Sequence, residues 1–147
     1  MPVIISKSHF DKILGHCANS YPTEAGGFLG GKGDTITGIF PVFNVAVSQA
    51  TERSIFKIGD QDTLRAHEFF EKNNLEVIGF YHSHPAIDSP YPSENDIKAS
   101  KVRHLRIMMI VSLANLTNVQ AGFFTVSPNL KQERFGVVRD EDIKKYL

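Results

Sequence analysis

The pentapeptide Tyr-His-Ser-His-Pro at residues 81–85 constrains this chain more than any other stretch. It ends a strongly apolar segment, residues 75–81, that is predicted to be a central strand. Alternate side chains of a strand point to the same face, so His82 and His84 would lie side by side. Two imidazoles placed in this way can reach one metal ion at about 2.0–2.1 Å.

A polar run downstream supplies a third candidate ligand. Residues 85–92 contain three prolines and are predicted to form an irregular loop that turns the chain back. Ser93-Glu94-Asn95-Asp96 follows, and places the Asp96 carboxylate on the first turn of the next helix. Two histidines and one carboxylate leave the fourth position of a tetrahedral zinc ion open, as catalytic zinc sites require.

A zinc site of this kind also needs a base. Zinc lowers the pKa of a bound water to about 7, but another group must accept the proton, and a glutamate near the water is the usual solution. Glu24 is the candidate, because it lies beside the glycine-rich residues 26–31. These glycines predict a strand with close backbone neighbours, which would bring Glu24 near the histidines.

Each of these residues also has a structural interpretation. Ser93 and Asp96 match a capping box at a helix start, and taken alone this interpretation is the preferred one. A lone His-x-His on a strand is more often structural than metal-binding, and Glu24 alone would be a surface residue at a turn. The metal-site hypothesis therefore depends on the combination of the three stretches.

The length of 147 residues fits a single domain, residues 1–147, with one core. The first helix is predicted to begin at Ser8, with Asp11 as a weak capping partner and an apolar stripe that includes Cys17. The predicted strands are 3–6 at a sheet edge, 23–31, 35–45 with a bend or edge position at Pro41, 54–58, 75–81, 106–113, 119–126 and 134–138. A turn at 32–34, a polar connector at 48–53, helices at 59–74 and from Ser93 past Ala99, and a terminal helical turn at 141–147 complete the prediction.

Composition limits the possible partners. Sixteen basic residues balance sixteen acidic ones, so we expect no nucleic acid and no anionic membrane surface as partner. Cys17 is the only cysteine, which rules out an intrachain disulfide and a thiolate-rich zinc cluster and fits a cytoplasmic location. Its predicted role is a small buried apolar residue rather than a nucleophile. We find neither a signal peptide nor an apolar run long enough to span a membrane.

Three competing motifs are excluded because each lacks a residue type that it requires. In a phosphate-binding loop, Ser or Thr follows the lysine, but Lys32 of the glycine-rich segment is not followed by either. The helical His67-Glu68-Phe69-Phe70-Glu71 nearly matches HExxH, but its second histidine is a glutamate. A zinc deaminase would need two further cysteine ligands, which a chain with one cysteine cannot supply.

The combined pattern resembles the JAMM (MPN-plus, JAB-domain) zinc metalloprotease family, in its short prokaryotic type. The matching stretches are Glu24-Ala25-Gly26-Gly27-Phe28-Leu29-Gly30, His82-Ser83-His84-Pro85 and Pro92-Ser93-Glu94-Asn95-Asp96. The resemblance covers most of the chain and implies a cytidine-deaminase-like JAB/MPN architecture, a curved mixed β-sheet flanked by helices. The family usually has seven residues between the second histidine and the serine, whereas residues 85–92 make eight here.

The resemblance also implies roles for the site residues. His82, His84 and Asp96 would bind one zinc ion per chain. Glu24 would be the general base and later the acid for the leaving amine, and Ser93 would hydrogen-bond the zinc water or the developing oxyanion.

Three functions are compatible with this reading. The leading one is a zinc metallopeptidase or isopeptidase that cleaves after the C-terminal tail of a ubiquitin-like or sulfur-carrier protein. An inactive MPN-type protein-binding scaffold is the second. A RadC-like nucleic-acid-associated domain ranks last, because the chain has no basic excess. The sequence does not specify the oligomeric state.

Overall fold

The computed structural model describes residues 2–42, 59–85 and 90–147. Helices in these residues are α1 (Lys7–Ser20), α2 (Asp60–Lys72) and α3 (Glu94–Val102), with a 3₁₀ helix at Asp140–Tyr146. Strands in these residues are β1 (Val3–Ser6), β2 (Gly26–Lys32), β3 (Thr35–Val42), β4 (Glu76–His84), β5 (Ile107–Ser112), β6 (Gln120–Thr125), β7 (Lys131–Glu133) and β8 (Phe135–Val138).

The described strands form one eight-stranded mixed sheet in the order β7-β6-β5-β4-β2-β3-β1-β8. Strand β4 lies in its interior, antiparallel to β2 and parallel to β5, and α3 lies in the connection between β4 and β5. The sheet is curved and flanked by helices, which confirms the predicted fold class. The apolar segment predicted as a central strand is β4, and it carries both histidines in its last three residues.

Two apolar clusters cover the two faces of the sheet. Ile13 and Cys17 of α1 pack on one face, in a cluster that includes Tyr81. Phe70 of α2 packs on the other face, in a cluster that includes Phe80. Because neighbours along β4 alternate between these clusters, the even-numbered residues 80, 82 and 84 share the face of α2. The fold thus separates the histidine face of β4 from the α1 face.

Close backbone contact explains the glycines of β2. A β-carbon at Gly27 would lie 2.5 Å from the Phe40 carbonyl oxygen and 2.8 Å from the Tyr81 ring. No ordinary side chain fits there, so glycine lets β2 lie between β3 and β4 with Tyr81 packed over it. The predicted strand with close backbone neighbours is confirmed, although it begins at Gly26, two residues after Glu24.

Two predictions near the amino terminus are wrong. Strand β1 is not an edge strand, because β3 and β8 pair with it on either side, both in parallel. Helix α1 begins at Lys7, and its N-cap is Ser6 rather than Ser8. The Ser8 N–H donates instead to the Asp140 carboxylate at 3.0 Å. This partner is 132 positions away, so no local pattern could reveal it.

The remaining differences concern short elements. Strand β7 was not predicted, because three residues are too few for a period-two pattern. The predicted terminal helical turn is the 3₁₀ helix at Asp140–Tyr146. Residues 43–45 of the predicted second hairpin strand, the connector 48–53 and the strand 54–58 lie outside the described residues. In the described part of the chain, every helix is too short or too polar to cross a membrane.

Candidate metal centre

The two histidines lie at the carboxyl end of β4, buried between neighbouring strands. His82 pairs in register with Gly26 of β2 and Ile110 of β5. The exposed fractions of His82 and His84 are 3% and 6%. Their ring centroids are 4.8 Å apart, and the His82 ring stacks on Phe80 at 5.9 Å. Packing therefore holds both imidazoles on one face, as the spacing predicted.

Asp96 reaches the histidines from the first turn of α3. Its side-chain oxygen Oδ1 lies 2.7 Å from His82 Nε2, and Oδ2 lies 3.2 Å from His84 Nε2. The Ser93 N–H also donates to Oδ2 at 2.7 Å, and the Asp96 N–H donates to Ser93 Oγ at 3.2 Å. The capping box is thus present, and the carboxylate that closes it also contacts both histidines. The predicted capping box is therefore confirmed, and the contacts of Asp96 with both histidines are compatible with the metal-site interpretation.

Glu24 contacts the same cluster from the segment before β2. Its Oε1 lies 3.0 Å from His82 Nδ1, although the two residues are 58 positions apart. An ionised carboxylate can only accept a hydrogen bond, so the Nδ1 nitrogen must carry the proton. His82 then presents Nε2 toward Asp96. A carboxylate that fixes the tautomer of a histidine in this way is a common partner of metal-binding imidazoles.

Glu24, His82 and Asp96 form a buried row of side chains, and its charges favour a cation between the two carboxylates. Burial alone would lower the pKa of His82, but hydrogen bonds to Asp96 and Glu24 outweigh it and raise that pKa to about 9. Burial would raise the pKa of Asp96, yet its hydrogen bonds to His82 and His84 hold it far below the usual range. A proton on His82 is one way to supply positive charge here, and a bound metal ion is another.

The geometry of the cluster fits a metal ion. His82, His84 and Asp96 each offer one ligand atom, and these atoms lie within 4.8 Å of one another. Neighbouring ligand atoms of tetrahedral zinc are separated by about 3.4 Å, given bonds of about 2.0–2.2 Å. The contacts of 2.7 and 3.2 Å need to open only slightly to reach that value. Among the described residues, His84 Nδ1 is buried without a hydrogen-bond partner, whereas His84 Nε2 is the nitrogen that contacts Asp96.

The α1 face of β4 carries polar residues that sequence reasoning missed. Ser83 is fully buried, and its Oγ accepts a hydrogen bond from the Ala25 N–H at 2.9 Å. Tyr81 is also buried, and its hydroxyl lies 2.7 Å from His16 Nδ1. The available signal was a polar residue at an inward position of an apolar strand. Cys17 is buried as predicted, and burial raises the pKa of its thiol to about 12.

Comparison with known sequences places the chain in a family. A sequence model described as prokaryotic homologs of the JAB domain matches residues 6–125. The chain belongs to this prokaryotic JAB family. All of the site residues lie inside the matched range, so the family assignment and the cluster concern the same part of the molecule.

Two curated relatives of this JAB-family chain are desampylases. The Haloferax volcanii desampylase is 38% identical over 92 residues, which are 58% of this chain and 63% of the relative. The Pyrococcus furiosus desampylase is 31% identical over 98 residues, which are 67% of this chain and 66% of the relative. The match therefore spans just under two thirds of the length of either relative.

Solved structures share the JAB-family fold at low sequence identity. A Desulfitobacterium hafniense protein superposes with a TM-score of 0.77 at 23% identity, covering 94% of each chain. A JAB1/MPN domain protein of Archaeoglobus fulgidus gives 0.60 at 18% identity, covering 92% of this chain and 98% of the other. A structure described as JAMM, a metalloprotease-like zinc site in the proteasome and signalosome, gives 0.57 at 18% identity over 92% and 99%. These likenesses establish the fold.

Proposed function

We propose that this JAB-family protein is a zinc-dependent metallopeptidase or isopeptidase. The observation that carries the proposal is the buried row Glu24–His82–Asp96 with His84 beside it at the end of β4. His82, His84 and Asp96 would hold one zinc ion per chain. The bond cleaved is an amide or isopeptide bond after the C-terminal tail of a ubiquitin-like or sulfur-carrier protein. Support for this substrate class comes from the two relatives, which are named desampylases.

The side chains divide the chemistry among them. Bound zinc would supply a nucleophilic water of lowered pKa and a positive charge for the polarised carbonyl. Glu24 has two carboxylate oxygens, so it can hold His82 through Oε1 and accept a proton through the other. The same carboxyl then returns the proton to the leaving amine. Ser93 Oγ accepts the Asp96 N–H, but its own O–H can still donate to the oxyanion that develops in the substrate.

Replacement of Glu24 tests this mechanism most sharply. Glu24→Gln keeps the size of the side chain but removes the base. We expect kcat for cleavage of an isopeptide-linked ubiquitin-like conjugate to fall by about 10²–10⁴-fold, the usual worth of a positioned base, while zinc stays bound. The substrate would be a lysine conjugate of a ubiquitin-like protein, followed by gel analysis and mass spectrometry of the products.

The controls separate catalysis from metal binding. Wild-type protein and Glu24→Gln must carry equal zinc, measured on the same samples. Undiminished cleavage by zinc-loaded Glu24→Gln contradicts the proposed mechanism. Zinc-loaded wild-type protein that binds such conjugates without cleaving them would instead be a binding scaffold of the same fold.

A further inference from the structure

We propose that Ser83, the residue between the two histidines, is a positioning residue that fixes Glu24 against His82. Its predicted effect on catalysis rests on the proposed function, whereas its effect on the Glu24–His82 contact does not. Ser83 lies on the opposite face of β4 from the histidines, so it acts through the backbone of the segment that carries Glu24.

The hydrogen bonds just before the first residue of β2 show how Ser83 can hold Glu24 in position. The last registered pair of the β2–β4 ladder is Gly26 with His82. One residue further, the Ser83 N–H donates to the Ala25 carbonyl at 2.9 Å. The Ala25 N–H, however, donates to the Ser83 side-chain Oγ, also at 2.9 Å. A single residue therefore binds both polar backbone groups of Ala25, and it uses its side chain where a regular ladder uses a carbonyl.

Glu24 depends on this contact because it lies outside the strand. Residues 21–25 are turn, bend and irregular backbone, and β2 begins only at Gly26. The Ala25 hydrogen bonds restrain the backbone on the strand side of Glu24, and the Thr23 N–H, which donates to the Ser20 carbonyl at 2.8 Å, restrains the other side. The strand side sets the approach of the Glu24 carboxylate, which lies 3.0 Å from Nδ1 of His82. The regular β2–β4 ladder ends at Gly26, the residue after Ala25. If Ala25 lost its hydrogen bonds to Ser83, the Glu24 carboxylate could therefore move away from the His82 ring.

The surroundings of Ser83 hold its hydroxyl in place. The side chain is fully buried, and it lies near enough to the Cys17 thiol on α1 to lower the pKa of that thiol, against the larger effect of burial. A hydroxyl can donate one hydrogen bond and accept others, so Ser83 can contact the Cys17 sulfur and accept the Ala25 N–H together. The buried side chains of Cys17 and Ser83 thereby connect helix α1 to the segment that carries Glu24, the proposed general base.

Three substitutions of Ser83 distinguish the effect of the hydroxyl group from the effect of side-chain volume. Ser83→Ala removes the acceptor, while Ser83→Thr and Ser83→Val have matched shapes and differ in the hydroxyl. Ser100→Ala is the control, since Ser100 is also fully buried and donates to the Leu105 carbonyl at 2.8 Å, at the far end of α3. If Ser83→Ala does not fold, the Thr and Val pair still decides the question.

The first measurement does not depend on activity. In zinc-loaded protein with ¹⁵N-labelled histidine, the hydrogen bond to Glu24 gives His82 Nδ1–H a downfield proton resonance. We expect this resonance in wild-type protein, Ser83→Thr and Ser100→Ala, and its loss or upfield shift in Ser83→Ala and Ser83→Val. An unchanged resonance in Ser83→Ala and Ser83→Val overturns the proposal, even if no conjugate is found to be cleaved.

The second measurement is steady-state kinetics. We expect Ser83→Ala and Ser83→Val to lower kcat about 10- to 100-fold, the cost of a small misplacement of a catalytic group, with KM and zinc content unchanged. Adding Ser83→Ala to Glu24→Gln should cause no further loss, because the base is already absent. A full additional loss in the double variant shows that Ser83 does not act through Glu24. If Glu24→Gln itself is fully active, the proposed function fails while the resonance still tests the contact.

Discussion

At the scale of single residues, Asp96 shows how the site uses one side chain for two purposes. Its Oδ2 accepts the Ser93 N–H at 2.7 Å and also lies 3.2 Å from His84 Nε2. The capping bond fixes the rotamer of the carboxylate before any metal is present. A helix start is therefore a good place for a metal-binding aspartate, because the cap orients the ligand.

The lone cysteine should be chemically silent in the native protein. Cys17 is fully buried, and burial raises the pKa of its thiol to about 12, so almost no thiolate forms at pH 8. We expect no reaction with a disulfide reagent such as DTNB until the protein is unfolded in guanidinium chloride, when one thiol per chain should react. Rapid stoichiometric labelling of the folded protein at pH 8 contradicts this prediction.

The partial burial of His16 should make the free energy of unfolding depend on pH. Burial lowers the pKa of His16 below its ordinary value of 6.5, so the unfolded chain binds this proton more tightly than the folded one. His16 therefore opposes folding increasingly as pH falls through 6.5, and has no such effect above it. The free energy of unfolding of wild-type protein, minus that of His16→Gln, should decrease from pH 7.5 to pH 5.5 in urea titrations.

Subtracting the His16→Gln values removes the contributions of the other histidines. His9 titrates in the same direction and metal-free His82 in the opposite one, but both are present in the two proteins. A difference that stays constant or grows on acidification contradicts the assignment to His16.

At the scale of elements, the start of α3 connects helix stability to metal binding. Ser93→Ala removes the side-chain acceptor of the Asp96 N–H, and loss of such a cap costs about 0.5–2 kcal/mol. We expect a lower free energy of unfolding and weaker zinc binding in competition with a chelator. Ser93→Thr keeps the cap and should restore both. Zinc affinity unchanged in Ser93→Ala, with the protein destabilised, shows that the Ser93 hydroxyl does not help to orient Asp96, because the bond from the Ser93 N–H to Oδ2 remains in this variant.

Strand β2 should tolerate no side chain at Gly27. A β-carbon there meets the Phe40 carbonyl oxygen at 2.5 Å, so Gly27→Ala should lower the free energy of unfolding by about 1–3 kcal/mol. The matched control is Gly15→Ala in α1, where no atom lies within 4 Å of the new carbon. Because alanine favours a helix, that variant should be more stable by about 0.5–1 kcal/mol. Equal urea midpoints for the two variants contradict this account.

Local patterns predicted the elements that carry the site. The apolar run before His82 gave β4, and the Ser93–Asp96 spacing gave the capped start of α3. Both signals lie within a few residues, where sequence period and backbone geometry are directly related. The position of Glu24 was predicted only as a neighbour of the histidines, since its partner is 58 positions away.

Contacts between distant segments were beyond such reasoning. The placement of β1 between β3 and β8 depends on residues near both ends of the described chain. The Asp140 contact at the start of α1 has the same long-range character. The role of Ser83 was not predicted, because nothing in its own neighbourhood indicates that it binds the Ala25 N–H. Each of these contacts depends on how distant segments are paired in the folded chain. The local pattern of a single sequence does not specify that pairing.

At the scale of the whole molecule, the site joins segments that are far apart in sequence. Glu24 comes from the segment before β2, the histidines from β4, and Asp96 from α3. A cluster assembled in this way exists only in the folded chain, so binding of a metal to it must also stabilise the fold.

Zinc should therefore raise the thermal midpoint of the protein. A ligand present at about 1,000 times its Kd adds about 4.1 kcal/mol to the free energy of unfolding. We expect the Tm measured by circular dichroism to rise with zinc and to fall after EDTA treatment. Asp96→Asn, which keeps the shape of the ligand but not its charge, should show a much smaller rise. An equal rise in this variant would mean that zinc stabilises the protein elsewhere.

The most direct test of the zinc centre is the metal content of the purified protein. Wild-type protein and His84→Ala would be dialysed against the same buffered zinc and measured by inductively coupled plasma mass spectrometry. Since His84 offers one of the three candidate ligand atoms of this cluster, we predict one zinc per wild-type chain and a background level in folded His84→Ala. Equal zinc in the two proteins, or none in the wild type, would contradict the account.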